Sequence, residues 1–288
     1  MRKTLSAPSI RLFILFSIVY LVAPGPLSLG ASFPQPAETA SVPAPGGGEK
    51  FLYDEGGIVR GDASKKVLAL IFTGGDFADG GPHIRSVLSE KGVKAGFFFT
   101  GDFFRSGEKT ALVRGLIADG HYLGPHSDKH LLYCDWEDRS KTLVSREEFE
   151  RDILANYAVM AEYGIRKQDA PYFIPPYEWY NNEIIAWSEG LGLSLFNFTP
   201  GTSSNADYTT PDMPNYLSSD VIYDRILSYE KKDPNGFNGF ILLIHIGTDP
   251  KRTDKLYMRL GELIDTLRSR GYAFVRIDTL LSPDKPMP

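Results

Sequence analysis

Hydrophobic and polar positions along this chain fall into two alternating kinds of segment. Short apolar runs, rich in aromatic and branched residues, occupy 67–72, 95–100, 121–125, 172–175, 193–197, 240–245 and 272–277. They have strand length and strand composition. Between them lie stretches with a helical repeat. The clearest starts at Ser145, whose hydroxyl can cap a helix while Glu148 reciprocates three residues later. Phe149, Ile153, Tyr157 and Met160 then recur at three- and four-residue steps. A second helical stretch spans about 253–270 and stops before Gly271. Alternation of this kind predicts an α/β fold, a parallel sheet with helices packed outside it. Seven candidate strands predict a barrel or near-barrel, in which functional groups collect at the C-terminal ends of the strands.

Those ends carry chemistry. The first is followed by Thr73-Gly74-Gly75-Asp76-Phe77-Ala78-Asp79-Gly80 and the second by Gly101-Asp102. The third runs into His126-Ser127-Asp128-Lys129-His130, the fourth into Pro175-Pro176-Tyr177-Glu178, and the sixth ends on His245. The chain has only five histidines, and two of them stand four residues apart at His126 and His130. On a helical turn, positions i and i+4 share a face, so both imidazoles would aim at one point. Such a pair lacks only a carboxylate to hold a divalent metal; the alternative is two neighbouring surface histidines. Asp76 and Asp79 in the glycine-rich loop read either as turn punctuation or as a metal-binding carboxylate beside a base. His245 reads as a general acid or as a core histidine with its hydrogen bonds satisfied. Leu243, two residues earlier, reads as core or as the wall of a small acyl pocket. Aromatic Tyr177, Trp179 and Tyr180 suit stacking on sugar faces, or packing of their own loop.

Bulk composition narrows the partners. The 288 residues are 42% hydrophobic and 23% charged, as in an ordinary globular protein. A formal net charge of -5 argues against a nucleic-acid partner. The N-terminus is distinct: Arg2, Lys3 and Arg11, an apolar run at 12–23, then Pro24-Gly25-Pro26 and small residues. This is the three-part pattern of a signal peptide over 1–30, which predicts export and no stable membrane insertion after its removal; a retained anchor is the alternative. Residues 31–50 are rich in Pro, Ala and Gly and read as a flexible linker to a catalytic domain over 51–288. The only cysteine, Cys134, permits no internal disulfide and reads as a structural or incidental thiol.

In order and spacing, these segments resemble the polysaccharide deacetylases of the NodB-homology type, carbohydrate esterase family 4, over about residues 67–280. His126, Ser127 and His130 match the motif H-[ST]-x-x-H. Lys94-Ala95-Gly96-Phe97-Phe98-Phe99-Thr100-Gly101 is similar to the family's K-A-T-F-F-x-x-G strand, Pro175-Pro176-Tyr177 to the end of R-P-P-Y, and Leu243-Ile244-His245 to L-x-H. The resemblance implies a distorted (β/α) barrel of about seven parallel strands. It also implies metal-dependent removal of acetyl groups from a carbohydrate, so the partner is an acetylated glycan. The implied roles are metal ligation by Asp79, His126 and His130, with Asp76 as base and His245 as acid. Tyr177, Trp179 and Leu243 would contact substrate, with an oxyanion-holding backbone N–H at Tyr177. The implied ion is divalent, zinc first, with cobalt or nickel as alternatives.

The departures from the pattern are specific. The family's adjacent Asp-Asp pair is replaced by the loop at 73–81, so the roles of Asp76 and Asp79 could be exchanged, or Ala78 could stand where the base should be. The motif-three arginine aligns with Ile174, and the motif-four tryptophan has no clear counterpart; Asp207 is only a candidate in that region. Two alternatives follow: a catalytically degenerate carbohydrate-binding relative, or a metal-dependent hydrolase of a non-acetyl C–N bond.

Overall fold

Strand β3, Val67–Gly74, is the axis of the fold. All eight of its residues are buried, as expected of a strand covered on both faces in a parallel sheet. It is seen in a computed structural model that describes residues 50–282. On one side β3 pairs in parallel with β4 (Gly96–Phe99), which pairs in turn with β5 (Tyr122–Pro125). On the other side lies β8 (Phe240–His245), and β9 (Ala273–Phe274) runs beside the start of β3. Two short strands, β6 (Tyr172–Phe173) and β7 (Ser194–Leu195), form a separate parallel pair. These seven parallel strands coincide with the seven apolar runs of the sequence.

The barrel is distorted because β6 and β7 are only two residues long. Side chains and isolated bonds carry the closure where the ladder is missing. The Tyr172 backbone N–H donates to the Tyr122 hydroxyl at 3.0 Å, which joins β6 to β5. Phe196, just past β7, bridges to Ile58, and the Thr199 N–H donates to the Ile241 carbonyl of β8 at 3.0 Å. Ile58 belongs to an antiparallel hairpin, β1 (Leu52–Asp54) and β2 (Gly57–Arg60), which the sequence pattern did not reveal. Its strands are too short to show a clear alternation.

Helices pack outside the sheet. They are α1 (Gly81–Glu90), α2 (Gly101–Arg105), α3 (Thr110–Ala118), α4 (Arg146–Glu162), α5 (Asn182–Gly190), α6 (Ser219–Lys232), α7 (Leu260–Ser269) and α8 (Ile277–Leu280). The capping box expected at Ser145 is present: its hydroxyl accepts from the Glu148 N–H, and the Glu148 carboxylate accepts from the Ser145 N–H at 2.8 Å. The helix expected from about 253 begins later. A 3₁₀ turn at Leu256–Arg259 precedes α7. Residues before it are tied elsewhere: Asp254 accepts from the Ser219 N–H at 2.6 Å, and Lys255 Nζ donates to the Thr248 hydroxyl at 2.8 Å. The expected signal segment and linker lie outside the described residues, apart from Lys50. Among the described residues, no helix is long and apolar enough to cross a membrane.

Candidate active site

The C-terminal ends of β3, β4, β5 and β8 open into a cavity of about 590 Å³. Sheet register brings its chemistry together. Thr73 of β3 stands opposite Phe98 of β4 and His245 of β8, and His126 follows directly on β5.

His126 is fixed from three sides. Its backbone N–H donates to the Phe99 carbonyl at 3.2 Å and to Asn156 Oδ1 of α4 at 3.0 Å. Its Nδ1 lies 2.9 Å from the Ile174 carbonyl, which can only accept, so Nδ1 carries the proton and Nε2 carries the lone pair. His130 Nε2 lies 3.2 Å from that Nε2. The two imidazoles do converge, but not on a helical turn. Ser127 and His130 take left-handed backbone conformations, at φ 68° and 55°, and the His130 N–H donates to Ser127 Oγ at 2.9 Å. The serine of the motif thus closes the loop. Asp152 of α4 braces it by accepting from the N–H groups of Asp128 and Lys129, and Arg105 grips the Asp128 carboxylate at 2.7 and 2.9 Å. Burial pushes His126 down to about 4 and His130 well below its ordinary range, which keeps both rings neutral, the form that binds a metal.

His245 is held by a residue that the sequence offered only as a candidate. Asp207, 1% exposed, accepts from His245 Nδ1 at 2.6 Å and from the His245 backbone N–H at 3.0 Å. Burial alone would lower the His245 pKa. The charge and hydrogen bond of Asp207, with the charge of Glu178, win and raise it. With Nδ1 committed to Asp207, Nε2 is the nitrogen left for chemistry.

Five of the eight expected site residues line the cavity: Asp76, His126, His130, Tyr177 and His245. Asp79, Trp179 and Leu243 do not. Asp79 accepts from the Tyr257 hydroxyl at 2.6 Å and the Thr248 N–H at 2.8 Å, with Lys255 Nζ at 3.1 Å. Partial burial would raise its pKa, but these three partners outweigh it and hold Asp79 below the usual carboxylate range. Among the described residues no third His, Cys, Asp or Glu joins the imidazole pair in a group that could hold a metal ion. Asp79 is thus committed to these three partners and is not grouped with the imidazole pair. Trp179 donates its Nε1–H to the Asp135 carbonyl at 3.0 Å and lies under the Arg139 guanidinium. Trp136, stacked on Trp179 at 5.6 Å, faces the cavity in its place. Leu243 is fully buried in the middle of β8 and belongs to the core.

Nor does the tip of β3 supply an acid. Its last two residues are Thr73 and Gly74, and a Cβ on Gly74 would come within 2.6 Å of the Ile246 side chain. Asp76 sits further out on the exposed loop, whose Gly75 and Asp76 carbonyls both accept from Lys109 Nζ at 2.8 Å. Thr73 is 1% exposed and lines the cavity, yet its hydroxyl has no hydrogen-bond partner among the described residues. A buried hydroxyl of this kind calls for a partner arriving from outside the chain. Thr73, Trp136 and Glu178 were not singled out as functional by the sequence, since nothing in their spacing marks them.

Residues 60–196 match the family model for polysaccharide deacetylases. Over these residues the chain is a distant homologue of that family. It is 22% identical over 218 residues to a peptidoglycan-N-acetylglucosamine deacetylase of Bacillus cereus, an alignment covering 76% of this chain and 89% of the relative. Among solved structures, it resembles a pseudoenzyme of carbohydrate esterase family 4 from Bacillus anthracis, with TM-score 0.62 at 20% identity over 80% of this chain and 70% of the other. It also resembles the chitin deacetylase of the fungus Colletotrichum lindemuthianum, with TM-score 0.56 at 20% identity, covering 77% and 90% respectively. At such identities the structural likeness establishes the fold, an α/β distorted barrel like those of these proteins.

Proposed function

We propose that this polysaccharide deacetylase relative is a metal-assisted hydrolase that removes acetyl groups from a carbohydrate lying in the cavity. The observation that carries this reading is the pairing, at one cavity, of two neutral imidazoles with Nε2 atoms 3.2 Å apart and a carboxylate-bound His245. The two imidazoles are donors of the kind a zinc, cobalt or nickel ion takes, so His126 and His130 are two of the residues that would hold it, with the rest of the ligand set still to be supplied. Once bound, such an ion supplies Lewis acidity toward a carbonyl and toward water.

The chain's own residues supply the rest. Asn156 and the Ile174 carbonyl orient His126; Ser127 and Asp152 set the loop that delivers His130. Asp207 keeps the His245 proton on Nδ1 and favours the imidazolium, so that Nε2–H can protonate a leaving amine or alcohol. The Tyr177 backbone N–H is assigned to the developing oxyanion. Trp136 and Tyr177, 5.7 Å apart edge to face, give the sugar ring an aromatic wall. Export, as the N-terminal pattern predicts, would place this site among extracellular or cell-wall glycans.

A second reading, glycan binding without turnover, is favoured by the β3 tip, where Thr73 and Gly74 offer no ionisable side chain. Acetate release from N-acetylglucosamine oligomers separates the two. Hydrolysis by the wild type, lost in the His126→Ala/His130→Ala double variant, supports the first. Binding of the oligomers with no acetate released by the metal-loaded wild type supports the second.

A further inference from the structure

A hydrolase needs a base for its attacking water, and of the two acids expected for that region Asp79 is bonded to Tyr257, Thr248 and Lys255 while Asp76 lines the cavity from an exposed loop. The remaining carboxyl groups around the cavity differ sharply. Asp102 is ion-paired with Arg105 and Lys129, and Asp128 with Arg105. Asp249 accepts from the Lys251 N–H of its own loop. Glu178 lines the same cavity, and among the described residues no donor is hydrogen-bonded to its carboxylate.

Its backbone is unusual. Tyr177 and Glu178 are consecutive non-glycine residues in the left-handed region, at φ 58° and 54°. Each costs on the order of 1 kcal/mol or more, so the surroundings must enforce the turn. They do: the Glu178 N–H donates to the Pro175 carbonyl at 3.0 Å, and the Glu178 carbonyl accepts from Asn197 Nδ2 at 2.7 Å. A strained, doubly tethered turn thereby holds a carboxyl group at the cavity, within electrostatic reach of His245 and Asp207.

We propose that Glu178 is the base of this site, standing in for the carboxylate that the tip of β3 does not provide. The proposal rests on the hydrolytic reading above. The water oxygen bonds to the acetyl carbonyl carbon while one water O–H bond breaks, its proton going to Glu178. The C–N or C–O bond then breaks as His245 Nε2–H protonates the leaving nitrogen or oxygen. The products are acetic acid, which ionises, and the free amine or alcohol. Glu178 passes its proton to His245, and both groups return to their starting states. Burial pushes Glu178 up to about 7, with the charge of His245 opposing and that of Asp207 reinforcing, which suits a base working near neutral pH.

The test is acetate release from N-acetylglucosamine oligomers by the metal-loaded full domain, in wild type, Glu178→Gln, Glu178→Gly and Asp76→Asn. Glu178→Gln keeps the size of the side chain, and Glu178→Gly relaxes the left-handed turn, and circular dichroism identifies which of them keeps the wild-type fold. Both should lose about 100-fold or more in kcat with little change in KM. Added formate should restore part of the activity of Glu178→Gly, which a purely structural role would not allow. Full activity in a folded Glu178→Gln, with the large loss falling on Asp76→Asn, would overturn the proposal and return the base to the loop. A wild type that binds the oligomers and releases no acetate would overturn the hydrolytic reading and this assignment together.

Discussion

The tips of β5 and β8 and the loop after β3 lie at the same end of one sheet, yet they behave differently. His126 and His245 are attached directly to their strands, and register alone places them at the cavity. Thr73 sits opposite His245 because β3 and β8 pair in parallel along their length. Asp76 and Asp79 hang from a loop, where placement follows local partners. Tyr257, Thr248 and Lys255 compete for Asp79 and win it; Lys109 secures the backbone around Asp76. A side chain within a residue of a strand end is placed by the sheet, while one several residues further on goes to whichever donor is nearest.

The largest effect is expected at the histidines. Removing both imidazoles by His126→Ala/His130→Ala should abolish metal binding and reduce acetate release to background. Next comes the partner of His245. Asp207→Asn removes the charge and turns one of the two acceptor oxygens facing His245 into an NH2 donor, which unsettles the proton on Nδ1 and should cost roughly 100-fold or more in kcat, read as steady-state acetate release, with the fold intact by circular dichroism. The β3 side can be sharpened by supplying what its tip lacks. Thr73→Asp places a carboxylate beside His245 in the register and should tighten zinc binding by about 10–100-fold or more, measured by calorimetry.

The smallest effect is on stability and needs no substrate. The folded Glu178 pKa, about 7, lies above its ordinary 4.5. Between those values the folded chain holds more protons than the unfolded one, so this group's contribution falls as pH rises through that window. Glu178→Gln escapes that loss. It should melt a few degrees above wild type at pH 8 and lose the lead near pH 4.5. Equal melting curves at both pH values would show that the carboxyl group is not buried beside His245 and Asp207 as described.

The same contrast explains what could be read from the sequence. The seven strands were legible because buried parallel strands are continuous apolar runs, and the Ser145–Glu148 capping box was legible because its chemistry is local. The histidine pair was legible as a pair, though the geometry that unites it is a left-handed loop closed by Ser127 rather than a helical turn. The partners of Asp79 were not legible, because no spacing rule foresees Tyr257, 178 residues away, bonding its carboxylate. Trp136, for which the sequence suggested no role, lines the cavity instead of Trp179, whose ring is held by Arg139 and the Asp135 carbonyl. Glu178 stood among the strand-end residues but drew no role, because what sets it apart is a left-handed turn, held by Asn197 and Pro175, that its identity does not announce.

His126 and His130 are proposed to hold one metal ion at this cavity. Zinc titration of the metal-free domain, followed by calorimetry beside the His126→Ala/His130→Ala variant, tests it most directly. The account predicts one ion bound per wild-type chain and none in the variant. No binding by the wild type, or equal binding by both, would contradict it.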